Sequence, residues 1–314
     1  MSMPISRFNA QAIALMAIPL SLLSACGGGG GDTTPAPGAP RSITLSFSAV
    51  AGTTPVKCGT AVTGLGSSNA DAQLKDLRFY VSNVKLVRAD GSRQDLTLSA
   101  DDDWNLSKDG NSVTLIDLED GTGACSGGTA AMNAQVKGTV PAGSYVGVEW
   151  TVGVPFAMNH SDYATATRPL DVQAMAWSWQ SGRKFAKIEV TDPAGAAGIW
   201  SAKTFNVHLG STGCTGNPAS GETVSCLAPN RMAVAFASFN PDSQRIAVDV
   251  RALLAGNDVT RNLAGAAGCM SGGTDPECLK VFESLAIDWK ADGKGSGLPL
   301  GNGSAQTLFK VVSQ

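Results

Sequence analysis

The sequence predicts a mainly β protein: an antiparallel β-sandwich or barrel-like single domain with short helical segments and long loops. Several segments alternate apolar and polar residues, which is the period of a strand with one buried face. Glycine-rich stretches separate these segments, and helical patterns are scarce. Many short strands joined by glycine turns are typical of sandwiches and barrels. No linker-like break divides the chain after residue 41, so we expect one domain.

The strand predictions follow from the alternation. In TFNVHLG, for example, Phe205 and Val207 point to one face of a strand, and Asn206 and His208 point to the other. The same pattern continues through Val250 in RIAVDVRALL and predicts a strand there. The predicted strands lie in RSITLSFSAV (41–50), LRFYVSNVKLV (77–87), QDLTL (94–98), VTLIDL (113–118), GSYVGVEWTV (143–152), TFNVHLG (204–210) and RIAVDVRALL (245–254).

Turn and helix signals fill part of the remaining chain. Asp90-Gly91 supplies the positive φ that a tight hairpin needs between two of these strands. The best helical stretch runs from Pro169 to Ser181, with apolar residues at i, i+4 and i+7 and a proline suited to a first turn. Residues 71–77 are expected to form another helical turn or two.

The first 26 residues have the layout of a bacterial lipoprotein signal peptide. Arg7 precedes an apolar run over residues 10–23, too short for a lasting membrane span. The run ends in Leu-Ser-Ala before Cys26, which resembles a lipobox, and the Cys26 thiol would then carry the lipid. The alternative is ordinary signal cleavage with an incidental cysteine. Residues 27–40 are a flexible Gly/Pro linker. Gly27 resembles the signals for outer-membrane sorting, so we expect a lipid-anchored protein in the periplasm or at the cell surface.

The other cysteines point to disulfides, since an even number in an exported chain is typical of cross-links. Six cysteines allow fifteen pairings, among which the sequence alone does not choose. Short spacing favours two local loops and leaves one long-range bond, and the alternative of thiolate metal ligation lacks a C-x-x-C pair. The favoured pairs are Cys58–Cys125, Cys214–Cys226 and Cys269–Cys278.

Composition and motifs exclude several functions. The formal net charge is −3 and no basic stripe is present, which argues against nucleic-acid binding. P-loop, dinucleotide-binding, zinc-protease and G-x-S-x-G patterns are absent. A Ser-His-Asp hydrolase remains a weak alternative because no motif places a nucleophile near a base.

The chain has only two histidines, His160 in a loop and His208 on the polar side of a predicted strand. Imidazole binds copper or zinc, and methionine sulfur suits copper(I), so Met158 and Met175 are possible soft ligands. On spacing alone, both histidines also fit ordinary surface or loop-anchoring roles. In an extended segment the indoles of the Trp177-Ser178-Trp179 sequence would share one face, which by composition suggests a core or interface role.

The blocks LRFYVSNVKLV, LIDLEDGTGAC, NHSDYATATRPLDVQAMAWSWQSGRKF, FNVHLGSTGC and GCMSGGTDPEC resemble, in this order, the MbnP family. Its members are also called metallo-mystery-pair proteins with a four-Cys motif and are related to the copper-repressible protein CorA. The resemblance spans nearly the whole chain after the linker. It implies a non-enzymatic copper-binding protein of the periplasm, used in copper acquisition or handling.

The resemblance also implies a site and a partner. Copper is bound by histidines beside a tryptophan that has been oxidised to kynurenine by a di-haem cytochrome of the MbnH/MauG type. The matching residues here are His160, His208 and, without a choice between them, Trp177 or Trp179. The sequence departs from the family pattern at Arg183, where an aromatic residue is expected; we predict a surface position there. The alternative function is a metal-free β-sandwich scaffold or adhesion lipoprotein.

Overall fold

The computed structural model describes residues 38–178, 180 and 182–314, and strands dominate these residues. In chain order they are β1 (Arg41–Ala51), β2 (Thr54–Pro55), β3 (Ala61–Leu65), β4 (Ala70–Val87), β5 (Arg93–Asp95), β6 (Thr97–Leu98), β7 (Asn105–Lys108), β8 (Asn111–Asp117), β9 (Gln135–Val140), β10 (Gly147–Val152), β11 (Ala176–Ser178), β12 (Gly182–Thr191), β13 (Thr204–Gly210), β14 (Thr212–Thr215), β15 (Ser225–Ala228), β16 (Met232–Phe236), β17 (Gln244–Asp249), β18 (Gly268–Cys269) and β19 (Phe309–Ser313).

Two open sheets and one small hairpin contain all the strands of the described residues. The smaller sheet runs in the order β19-β17-β1-β9-β6, with β2 beside β1. The larger sheet runs β16-β10-β4-β12-β13-β18, and β3, β5, β7, β8 and β11 extend it. Pairing is antiparallel except between β1 and β17 and between β13 and β18. The predicted mainly β, sandwich-like single domain is confirmed, and the sheets do not close into a barrel.

The core lies between the two sheets and is centred on aromatic side chains. The Phe47 ring of β1 lies 5.5 Å from Phe79 of β4 and 6.0 Å from Trp150 of β10. Phe309 of β19 contacts the same two rings at 5.3 and 5.5 Å. Edge-to-face and tilted contacts of this kind add to the free energy gained by burying apolar area. These contacts hold the two sheets face to face.

Helices are short. They comprise α1 (Phe156–Asn159), α2 (Val250–Leu254) and α3 (Cys278–Leu285), with 3-10 turns at Gly123–Cys125, Gln173–Met175, Gly195–Ala197 and Pro218–Ser220. The predicted strand over residues 245–254 ends at Asp249, because the Asp249 carboxylate accepts hydrogen bonds from the N–H groups of Arg251 and Ala252 and caps α2. None of the helices within the described ranges is long and apolar enough to span a membrane.

The helix predicted over residues 169–181 is wrong. The described part of this segment forms turns, a 3-10 turn and strand β11, which pairs with β12. Three of its backbone carbonyl oxygens accept hydrogen bonds from side chains of β12. Leu170 accepts from Arg183, and Ala174 and Ala176 accept from Lys184. Residues 71–77 are also not helical but lie within β4.

Three disulfides cross-link the described part of the chain, in the pairing that the spacing favours. They join Cys58 to Cys125, Cys214 to Cys226 and Cys269 to Cys278. The predicted signal peptide (1–26), the lipidation site Cys26 and most of the predicted linker lie outside the described residues.

Candidate metal centre

His208 lies near the end of β13, on the face of the larger sheet that points away from the aromatic core. Its neighbours Val207 and Leu209 are buried on the core side, as the alternation predicts. The His208 side chain is only 13% exposed, and its Nε2 lies 2.6 Å from Oε1 of Glu189 on β12. Burial lowers the pKa of His208 below its ordinary value, and the hydrogen bond to Glu189 only partly offsets this. Burial therefore favours the neutral imidazole, which is the form that binds a metal.

Glu189 is held as a carboxylate by its surroundings. Burial acts to raise its pKa, but the hydrogen bond from His208 and the ammonium groups of Lys187 and Lys75 outweigh burial and hold the pKa well below its usual range. Nζ of Lys187 lies 3.0 Å from Oε1, and Nζ of Lys75 lies 3.3 Å from Oε2. Glu189 therefore accepts hydrogen bonds and does not donate them.

These two residues belong to a row of ionisable side chains that crosses four neighbouring strands, which we call the charged stripe. Cross-strand register places them side by side, since Lys187 pairs with His208 and Arg78, and Arg78 pairs with Asp117. Like charges face each other directly across β12 and β4, and opposite charges meet along each strand and on the diagonal, where Lys187 contacts both Glu189 and Asp76. The charged stripe comprises His208 on β13, Lys187 and Glu189 on β12, Asp76 and Arg78 on β4, and Asp117 on β8.

Asp117 is the member of the charged stripe that costs stability. Burial raises its pKa to about 7, because the attraction of Arg78 only partly compensates. As the pH rises from about 4 to 7, the unfolded chain ionises this carboxyl while the folded protein resists, so the penalty grows over this window. Asp117→Asn should therefore raise the free energy of unfolding at pH 8 by about 2 kcal/mol and change it little at pH 4. Urea unfolding at several pH values measures this, with exposed Asp95→Asn as the control. An equal gain at all pH values would contradict the assignment.

His160 follows α1 directly and is half-buried. Its Nε2 lies 3.3 Å from the side-chain nitrogen of Asn159 and 3.9 Å from the sulfur of Cys226, and its ring lies 4.9 Å from the ring of Phe156. Cys226 is bonded to Cys214 on β14, the strand that follows β13 after one residue. The His160 loop therefore contacts the hairpin that continues from the strand of His208.

Arg183 joins the His160 loop to the larger sheet. Its guanidinium donates to the carbonyl oxygens of Asn159 and Leu170, and its backbone N–H donates to Oδ1 of Asn159 at 2.9 Å. Neighbouring Gly182 has φ +80°, and a Cβ there would lie 2.4 Å from Asn159. Arg183 is 1% exposed, so the prediction of a surface position is wrong. The loop carbonyls accept hydrogen bonds from the buried guanidinium and offset part of the cost of its burial.

Trp177 packs over the end of β13. A Cβ on Gly210 would lie 2.6 Å from Cζ3 of Trp177, so the glycine is what lets the indole approach the strand two residues beyond His208. Because residues i and i+2 of a strand are about 7 Å apart, the contact between Trp177 and Gly210 is about that far along β13 from His208. The same Cβ position lies 3.2 Å from the carbonyl oxygen of Arg183. Trp179 lies outside the described residues.

The two methionines predicted as soft copper ligands are more deeply buried than the two histidines. Met158 and Met175 are 5% and 0% exposed and belong to the hydrophobic core, so their sulfurs lie among apolar side chains. One group of three His, Cys, Asp or Glu ligand atoms occurs among the residues described: Cys58, Glu119 and Cys125. Since these sulfurs form a disulfide, they are not metal-binding thiolates.

The charged stripe around His208 was not predicted from the sequence. Its only signal is the occurrence of charges two residues apart in strands, Asp76 with Arg78 and Lys187 with Glu189. Alternation alone assigns such residues to solvent. In the structure, Glu189 is 5% exposed and Arg78 3% exposed, so this face of the sheet is also buried.

The protein is therefore a disulfide-linked β-sandwich. At one end of its larger sheet, contacts join the loop of His160, the strand of His208 and the indole of Trp177. This chain belongs to the MbnP family, whose sequence profile matches residues 40–271. Among solved structures it is similar to MbnP from Methylosinus trichosporium, with 35% identity and a TM-score of 0.77 over 87% of this chain and 99% of that chain. A comparison with curated proteins gives no match. The family resemblance seen in the sequence is thus confirmed.

Proposed function

We propose that this chain is a copper-binding protein in which His160 and His208 bind one copper ion beside a tryptophan of the Trp177–Trp179 pair. The supporting observation is the set of contacts around Arg183. Arg183 binds the loop of His160, and its carbonyl lies beside Gly210, where Trp177 packs on the strand of His208. Residues far apart in sequence are therefore attached to one end of β12 and β13.

The donor chemistry suits copper but is incomplete without a modified tryptophan. Neutral imidazole is a good copper ligand, and both histidines are partly shielded from water. In the described residues, no group of three His, Cys, Asp or Glu ligand atoms includes either histidine. An indole N–H has no free lone pair for a metal. Kynurenine offers an aromatic amine and a ketone oxygen, and when bound, copper supplies one-electron redox chemistry.

We propose further that a di-haem cytochrome of the MbnH/MauG type oxidises the tryptophan, and that the protein acts in copper acquisition or handling rather than as an enzyme. Charged side chains and hydrogen bonds hold His208 in a fixed position, and this supports a role for it as a metal ligand. The signal-like N-terminus and the disulfides support a location in the periplasm or at the cell surface, anchored to the outer membrane through Cys26.

The test exploits the presence of only two histidines in the chain. Protein exported together with the di-haem partner and purified with a histidine-free tag should bind one copper ion. Its intact mass should show the loss of one carbon and the gain of one oxygen that convert tryptophan to kynurenine. His160→Ala and His208→Ala should each weaken copper binding strongly, whereas Asn206→Ala, on the same face of β13, should not.

Two results would reject this function. The first is an unmodified mass together with no copper binding in material made with the partner. The second is copper binding at the same background level in the parent and in both histidine variants, which would favour a metal-free scaffold or adhesion protein.

A further inference from the structure

We propose that Glu189 is a positioning residue that fixes the His208 ring so that Nδ1, not Nε2, is the nitrogen available to a metal. This inference rests on the proposed function and adds a specific geometry to it. The observation that supports it is the 2.6 Å contact between Nε2 of His208 and Oε1 of Glu189.

The direction of that hydrogen bond follows from the neighbours of Glu189. The carboxylate also faces the ammonium groups of Lys187 and Lys75, at 3.0 and 3.3 Å. A carboxylate in this position carries negative charge and only accepts hydrogen bonds. Nε2 of His208 must therefore be the donor and carry the hydrogen. In the neutral ring, which is the form that binds a metal, the lone pair is then on Nδ1.

The rest of the charged stripe keeps Glu189 in place. Lys187 bridges Glu189 and Asp76, and Asp76 in turn pairs with Arg78 through a 2.8 Å hydrogen bond from Nε. Glu189 is buried, so its charge is poorly screened by water. A carboxylate that orients a metal-binding imidazole in this way also makes the other ring nitrogen a better donor.

His208 is held from its backbone as well. Its carbonyl oxygen accepts a hydrogen bond from the Ser271 hydroxyl at 2.8 Å, and the same hydroxyl accepts from the N–H of Gly210 at 3.2 Å. Ser271 thereby fixes the strand end on which the imidazole is mounted, while Glu189 fixes the rotation of the ring. The two contacts together pre-organise a single ring orientation.

The first test determines which nitrogen of the His208 ring carries the hydrogen in the absence of metal. In the apoprotein labelled with nitrogen-15 histidine, long-range ring correlation spectra should show His208 with a protonated Nε2 and an unprotonated Nδ1, His160→Ala being used for assignment. On addition of copper(I), the Nδ1 signal should shift and Nε2 should keep its hydrogen. An apoprotein in which His208 carries its hydrogen on Nδ1 would overturn the proposal.

The second test is Glu189→Gln, which preserves shape but removes the charge that holds the tautomer. It should give mixed ring tautomers and lower the copper(I) affinity by about 10- to 100-fold. Glu149→Gln is the matched control, because it makes the same substitution at a carboxylate of the larger sheet that pairs with Arg93 and lies outside the charged stripe. This control should keep the parent's tautomer and affinity, which shows that the loss of a carboxylate from the sheet is not by itself the cause.

The outcomes separate the two proposals. A parent protein that fails to bind copper overturns the proposed function itself. A parent that binds copper through its histidines, with Glu189→Gln equal to it in affinity and tautomer, overturns only the role of Glu189. If Glu189→Gln folds poorly by circular dichroism, Glu189→Asp takes its place: a shortened carboxylate should restore the fold but not the full affinity.

Discussion

Arg183→Met should lower the free energy of unfolding by about 3 kcal/mol, because it removes a buried guanidinium whose acceptors cannot find other partners. The carbonyl oxygens of Asn159 and Leu170 accept from this side chain and lie in a part of the structure that water does not reach easily. Methionine fills most of the volume but donates no hydrogen bond. Urea unfolding, followed by tryptophan fluorescence, measures the loss.

The same substitution should also loosen the loop that contains His160. Limited proteolysis should cleave residues 156–170 faster in Arg183→Met than in the parent, and the copper affinity should fall with it. Arg93→Met is the control, since Arg93 is exposed and its guanidinium contacts only surface partners, Glu149 and the carbonyl oxygen of Gly91. It should leave the unfolding midpoint and the cleavage pattern near those of the parent. Equal stability of the two variants would show that Arg183 does not anchor the loop.

Much of the fold was predictable because most strands bury one face. Residues such as Phe205 and Val207 alternate with polar neighbours, and that period alone identifies β13. The end of the strand at Asp249 was missed because a capping aspartate looks the same in sequence as an outward-facing strand residue. The false helix over residues 169–181 arose because apolar spacing says nothing about donors that arrive from a distant strand, here Arg183 and Lys184.

The candidate site was predictable only through family resemblance. Two histidines 48 positions apart give no geometric signal, and their shared location depends on how the loop of His160 docks onto β12. The contact of Glu189 with His208 could not be predicted from the sequence for a second reason. This contact depends on the register of β12 against β13, and a slip of one residue would turn Glu189 to the other face of the sheet.

Removal of the Cys58–Cys125 disulfide by a double alanine substitution should lower the free energy of unfolding by about 4 kcal/mol. The bond closes a separation of 67 residues that includes the long strand β4, so its loss greatly increases the freedom of the unfolded chain. Both cysteines are buried, at 8% and 0% exposure, so the folded protein should protect the bond from reductants. Denaturant unfolding of protein folded under oxidising conditions measures the effect.

The Cys214–Cys226 bond provides the matched comparison, because it spans only 12 residues and both cysteines are half-buried. Its double alanine variant should lose about 3 kcal/mol, less than the long-range variant, since the entropy of loop closure grows slowly with length. Mild reductant added to the native protein should open Cys214–Cys226 before Cys58–Cys125, as mass-spectrometric alkylation mapping would show. Because Cys226 contacts His160, this early reduction should weaken copper binding while the sandwich stays folded. Loss of the buried bond first would contradict this order of accessibility.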